Sequence, residues 1–486
     1  MADRDRRHGS RRSGRWWVSL LVLVLVAGAA ATVRYDLADR WLDNAPAPRS
    51  PAAIPPPPNL DLPPLAAPPA AAAPVTPADA GDPASAKVRR AVAGLLDDRH
   101  LGKHVLATVS ALGGGAPLFT AGSGMAIPAS TTKLVTAAAA LLALGPDATF
   151  QTRVVADGRD AISLIGGGDP YLASRPAPAD APTYPQRADV VTLARATAAA
   201  LRAHGRTRVR VGYDDTLFSG PAVNPHWPQD YIPDGVVSPV TALWVDEGRP
   251  TSGTGRVSDP SLTAATAFAG ALSRAGIKVV GPPEARPATS AGGELASVSS
   301  APLDQIVERV LEVSDNEAAE VLFRQVGVAT EARGSSDAAV RGVRQILAQH
   351  GIDLHGSVLY DGSGLSRENR IDPRLLVDVL RTASTSADPD LRPVVTGLPV
   401  AGFTGSLAYR FEDGDPRGRG RVRAKTGTLT GVSGLAGLAN DLDGDVLVFV
   451  LIADKVPLAD TLGARNALDD AAAALGACRC SSGPGA

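Results

Sequence analysis

Residues 128–136 read Pro128-Ala129-Ser130-Thr131-Thr132-Lys133-Leu134-Val135-Thr136, and an Ala/Leu run carries on to Gly145-Pro146. A proline ahead and a Gly-Pro pair behind mark the ends of a helix. Because nearly every residue from 134 to 144 is apolar, this helix has no face for solvent and must be enclosed by other elements. Upstream, residues 104–112 alternate as a strand, Gly113-Gly114-Gly115 supplies a turn, and residues 116–121 return beside it. Downstream, helical patterns occupy 261–275, 302–313, 317–327, 336–349 and 373–383. Three successive strands follow at 421–429, 432–438 and 445–453, with a turn at 441–444, and a helix closes the pattern at 459–475. A hairpin first, helices in the middle and a meander last predict an α+β fold, with a central antiparallel sheet assembled from both chain ends and flanked by helices. The stretch 151–255 is rich in Gly and Pro, has short β-prone pieces such as 208–211 and shows no long amphipathic helix. It reads as a smaller, β-rich insertion that divides the main domain into 87–150 and 256–476.

The chain has 486 residues and a formal net charge of −2. No basic block lies outside the first fifteen residues, which excludes an electrostatic case for nucleic acid. Arg4, Arg6, Arg7, Arg11, Arg12 and Arg15 precede an apolar run at 16–33. As a helix the run would span about 27 Å, close to the hydrocarbon thickness of a bilayer. Basic residues on its N-terminal side predict a cytoplasmic tail and a transmembrane signal anchor. Ala29-Ala30-Ala31 leaves a cleaved signal peptide as the alternative, and both readings export the rest. Residues 34–86 are a Pro/Ala-rich spacer whose proline tract could reach about 120 Å when extended. Cys478 and Cys480, the two cysteines, fall in a tail predicted to be disordered from 477 to 486. They could bind metal or oxidise, but their place suggests spectators. The seven histidines are scattered without zinc-binding spacing, so no metal is implied.

Ser130 and Lys133 stand one helical turn apart at the start of the buried helix, which puts an amine beside a hydroxyl. Serine is a weak nucleophile until a base takes its proton, and lysine is that base only where its surroundings keep it neutral. Burial, a second cation and the helix dipole all act in that direction, and arginine could not substitute. Lysine is scarce here, supplying 6 of the 48 basic residues, yet it stands at 133 and again at 425. Two further motifs follow in order: Ser314-Asp315-Asn316 between two predicted helices, and Lys425-Thr426-Gly427-Thr428 on a predicted strand. Ser-x-x-Lys alone is weak evidence, whereas the ordered trio is the signature of β-lactamases and penicillin-binding proteins.

On these motifs the chain resembles the low-molecular-mass penicillin-binding proteins of the D-alanyl-D-alanine carboxypeptidase and endopeptidase type, over most of residues 90–475. Residues 166–170 (Gly-Gly-Gly-Asp-Pro), 361–366 (Asp-Gly-Ser-Gly-Leu-Ser) and 403–407 (Phe-Thr-Gly-Ser-Leu) are similar to segments typical of that group. The resemblance implies a cell-envelope serine peptidase that acts on peptidoglycan stem peptides and is acylated by β-lactams. Ser130 would be the nucleophile, Lys133 its base and Ser314 the proton relay. Lys425, Thr426, Gly427 and Thr428 would hold the substrate carboxylate and Asn316 its amide, with Asp361 and Ser363 lining or bracing the site. No cofactor is required. A serine β-lactamase and a catalytically silent cell-wall sensor are the alternatives; the first lacks a visible Glu-x-x-x-Asn segment, and the intact Ser130, Lys133 and Lys425 weigh against the second.

Overall fold

A computed structural model describes residues 84–288, 293–385 and 389–481. The chain opens with α1 (Ser85–Leu96) and an antiparallel hairpin of β1 (Val105–Ala111) and β2 (Phe119–Ala121). A 3-10 turn over Ala129–Thr131 then leads directly into α2 (Thr132–Leu144). An excursion follows through β3 (Gln151–Ala156), β4 (Ala161–Ile165), α3 (Val190–Ala203), β5 (Arg208–Asp214), α4 (Pro260–Arg274), β6 (Lys278–Val279), β7 (Glu284–Ala285) and β8 (Glu294–Ser299). Helices return as α5 (Leu303–Val313), α6 (Asn316–Glu331), α7 (Ser336–Gln349) and α8 (Pro373–Thr385). The meander β9 (Val422–Leu429), β10 (Val432–Asn440), β11 (Val446–Ala453) and the helix α9 (Thr461–Ala477) complete the fold.

The main sheet runs β2-β1-β11-β10-β9 and is antiparallel throughout, so β1 from one chain end lies against β11 from the other. Its central strands read as unbroken apolar runs because both faces are covered. In β11, Leu447, Phe449 and Leu451 pack towards α1 and α9, while Val448, Val450 and Ile452 face the cluster built on α2 and α5–α8. Thr132 through Leu141 of α2 are all buried, and the helix packs against α5, α6, α7 and α8. The all-round apolar sequence of α2 thus has its physical reason: helices and sheet enclose it.

The second sheet, β6-β5-β4-β3-β8 with β7 also on β5, corrects two expectations. Residues 151–255 do contain a long helix, α3, whose N-cap Asp189 accepts hydrogen bonds from the Val191 and Thr192 amides at 2.9 and 2.8 Å. Its buried stripe of Leu193, Ala194, Thr197, Ala198 and Leu201 has helical spacing but is made mostly of small residues, which mutes the periodic signal. The sheet also runs past residue 255, because β8 pairs with β3 and α4 packs on α3. Both sheets belong to one compact unit.

Residues 477–481 of the predicted tail are a third correction, and 482–486 lie outside the described residues. Cys478 and Cys480 form a disulfide, and Cys480 is fully buried. The Cys480 amide donates to Asp441 Oδ2 at 3.0 Å, its carbonyl accepts from the Ala84 amide at 2.6 Å, and Lys87 Nζ donates to the Ser481 carbonyl at 2.7 Å. Residues 477–481 therefore pin the start of α1 to the β10–β11 turn. The predicted anchor at 16–33 and most of the spacer lie outside the described residues. Among the described residues, no helix is long and apolar enough to cross a membrane.

Candidate active site

The 3-10 turn before α2 positions Ser130. Ala129 adopts a positive φ of 48°, and the Thr131 and Thr132 hydroxyls donate to the Pro128 and Ala129 carbonyls at 2.7 and 2.8 Å. These bonds hold the turn tightly, leaving Ser130 half-buried at the rim while Lys133 is wholly enclosed. Lys133 Nζ lies 2.9 Å from Ser130 Oγ, 2.8 Å from Asn316 Oδ1 and 2.8 Å from the Ser363 carbonyl oxygen. An ammonium donates to all three. A neutral amine keeps its two hydrogens on Asn316 and Ser363 and turns its lone pair towards the Ser130 hydroxyl, the geometry of a general base. Burial pulls the Lys133 pKa down to about 8, against the opposing pull of Asp361, Asp315, Glu320 and Glu317.

Ser314 and Asn316 come from the α5–α6 junction. Ser314 ends α5 in the left-handed conformation, and Asp315 caps α6 by accepting from the Ala318 amide at 2.9 Å. Facing them, β9 presents Lys425, whose Nζ donates to Ser314 Oγ at 2.8 Å and to the Thr426 carbonyl at 3.0 Å. Lys425 is also fully buried, and burial first, then Lys133 and Arg410, hold its pKa well below the ordinary lysine value. The second cation expected beside Lys133 thus exerts its effect at Lys425. Thr426 is buried with its hydroxyl 3.0 Å from Ser406 Oγ, and Thr428 is exposed at the open end of the strand. A Cβ on Gly427 would sit 2.7 Å from the Pro128 carbonyl, so glycine permits β9 to lie against the Ser130 turn.

Asp361 and Ser363 lie in a fully buried loop behind Lys133. Asp361 accepts from the Gly364 and Ser366 amides at 3.1 and 2.7 Å and from Asn369 Nδ2 at 2.6 Å. It braces the loop, and Ser363 meets Lys133 through its carbonyl rather than its hydroxyl. The residues assigned catalytic or binding roles from the sequence are therefore brought together where the α2 start, the α5–α6 junction, the 361–366 loop and β9 meet.

Residues 88–254 and 248–475 match the D-Ala-D-Ala carboxypeptidase 3 (S13) family. The chain belongs to that family. It is a hydrolase of the D-Ala-D-Ala carboxypeptidase class, within the low-molecular-mass penicillin-binding proteins. It is 36% identical to the carboxypeptidase DacB of Mycolicibacterium smegmatis over 96% of this chain and 99% of that one. A carboxypeptidase of Mycobacterium tuberculosis is likewise 36% identical, over 82% of this chain and 86% of its own. In fold the chain is similar to penicillin binding protein 4 from Haemophilus influenzae, with a TM-score of 0.63, 22% identity, and coverage of 79% of this chain and 98% of that one.

In this S13 peptidase, sequence reasoning missed some residues around the site. Glu320 is buried on α6 and accepts from the Gly362 and Ser363 amides at 2.9 and 2.7 Å; burial pushes its carboxyl up to about 8. Its place one turn after Asn316 on the same helix face was the available clue. The excursion contributes too. Asn316 Nδ2 donates to the Val236 carbonyl at 3.0 Å, and Trp227 Nε1 donates to Asp361 Oδ2 at 2.8 Å. A backbone carbonyl from a remote loop leaves no trace in sequence.

Proposed function

We propose that this enzyme hydrolyses the D-alanyl-D-alanine bond of peptidoglycan stem peptides through an acyl-enzyme on Ser130. Neutral Lys133 takes the Ser130 proton as Oγ attacks the carbonyl of the penultimate D-Ala. The backbone amides of Ser130 and Thr428 receive the oxyanion. The C–N bond then breaks, and the proton passes from Lys133 through Ser314 to the leaving amine of the terminal D-Ala. Water, deprotonated by the same lysine, releases the acyl group and restores the Ser130 hydroxyl. Lys425 with Thr426 and Thr428 holds the terminal carboxylate, where a compact ammonium and two hydroxyls suit one small anion. Asn316 binds the substrate amide. The three-way contact of Lys133 Nζ with Ser130, Asn316 and Ser363 carries the reading.

The same serine takes penicillin as a covalent, slowly released adduct, because the β-lactam presents an acyl group and a carboxylate in similar relation. The enzyme works outside the cytoplasmic membrane, where its substrate lies, held there by the apolar segment at 16–33 or secreted after its cleavage. After incubation with penicillin, mass spectrometry of a digest is expected to find one adduct on the peptide containing Ser130, absent from Ser130→Ala. An adduct on another peptide would overturn the site.

A further inference from the structure

The segment 403–407 has no part in the chemistry above, yet it touches two of the catalytic elements. Gly405 has a φ of 52°, and a Cβ there would lie 2.4 Å from the Glu312 carbonyl, so the loop packs against the last turn of α5 just before Ser314. The residues leading into it are fastened to β9: the Ala401 amide donates to the Val422 carbonyl, and the Ala424 amide to the Pro399 carbonyl, both at 3.0 Å. Within the loop, the Val400 amide donates to Thr404 Oγ1 at 2.9 Å, the Leu407 amide donates to the Thr404 carbonyl at 3.1 Å, and the Leu407 side chain is fully buried. Ser406 is thereby held with its Oγ 3.0 Å from Thr426 Oγ1.

Thr426 has one hydroxyl proton. If it donates to Ser406, it has none for an incoming carboxylate; if it accepts from Ser406, its proton is free to point into the cleft. Lys425 Nζ is a distant second neighbour of Thr426 Oγ1 at 3.5 Å and makes shorter bonds to Ser314 and the Thr426 carbonyl. The direction of the Thr426 hydroxyl is therefore set chiefly by Ser406.

Resting on the carboxylate clamp proposed above, we infer that Ser406 is a positioning residue. Its hydroxyl donates to Thr426 Oγ1 in the substrate complex, and this makes the enzyme select peptides with a free C-terminal carboxylate. The test compares an N-acylated tripeptide ending in D-Ala-D-Ala with the same peptide as its C-terminal amide, for wild type, Ser406→Ala and Ser406→Thr. Wild type is expected to prefer the acid. Ser406→Ala removes the donor that orients the Thr426 hydroxyl towards the cleft, and the weakened carboxylate bond should raise KM for the acid about five- to tenfold, with kcat and both amide constants unchanged, while Ser406→Thr should restore the acid KM. Should Ser406→Ala not fold, Ser406→Cys, close in size and a weak donor, gives the same comparison. Equal losses on acid and amide, or an unchanged acid KM, would overturn the role of Ser406 while leaving the clamp intact. A wild type indifferent to acid and amide would instead overturn the clamp and this role with it.

Discussion

Two buried lysines, proposed to do different work, have different neighbours. Lys133 is surrounded by acceptors and carboxylates, so burial lowers its pKa only to about 8. Since it must be neutral to act as base, kcat/KM is expected to rise with pH through about 8 on its acid limb, as a pH–rate profile would show. Lys133→Arg keeps the charge but cannot deprotonate, and turnover should fall by about a thousandfold or more, measured as D-Ala release. Lys425 has Lys133 and Arg410 rather than carboxylates as its charged neighbours, and burial first, then these two cations, hold its pKa well below the ordinary lysine value. An arriving carboxylate favours the ammonium, so binding should take up a proton, and affinity should weaken as pH rises. Calorimetry in buffers of different ionisation enthalpy would detect that uptake, and its absence would remove the charge-based account of the clamp. At this scale the sequence was informative, because Ser-x-x-Lys, Ser-Asp-Asn and Lys-Thr-Gly name their chemistry by residue type.

Elements meet at the Ser130 turn with little clearance. A Cβ on Gly364 would lie 1.9 Å from the Ala129 carbonyl, and Gly364 itself has a φ of 84°. Gly364→Ala is therefore expected to displace the nucleophile's turn, destabilising the protein by about 1–3 kcal/mol and slowing penicillin acylation about a hundredfold. Melting curves and acylation kinetics would check both, and a normal acylation rate would show that the turn tolerates the shift. The elements themselves were legible where the signal was long and strongly apolar: the meander and α2 have ends close to those expected. The helix α3 was not, because alanines supply much of its buried face and differ little in hydropathy from their exposed neighbours. Likewise, the end of the excursion at β8 depends on which strand pairs with β3, and a half-exposed six-residue strand does not name its partner.

Across the molecule, burial raises the carboxyls of Glu320 to about 8, Glu247 to about 9 and Asp169 to about 7. A carboxyl whose folded pKa lies above its unfolded value stabilises fully below the unfolded value, near 4.5 for Glu320, and loses that contribution as pH rises through the folded value. Glu320→Gln keeps an acceptor for the Gly362 and Ser363 amides without ionising, and should flatten the decline in stability between about pH 5 and 8. One group accounts for at most about 1.4 kcal/mol per pH unit, and denaturant unfolding at several pH values would measure the change. An unaltered slope would mean that Glu320 ionises alike in both states. By itself the sequence determined the antiparallel sheet built from both chain ends, the buried helix that starts at Ser130 and the residue types assigned to the proposed chemistry, since hydropathy periods and side-chain chemistry are local properties. Only the tertiary structure decided the depth of Lys133, the Ser363 carbonyl that meets it, the reach of the Trp227 loop into the site and the clamped Cys478–Cys480 tail. Those features depend on which surfaces are removed from water together, and that is settled by packing between segments far apart in the chain.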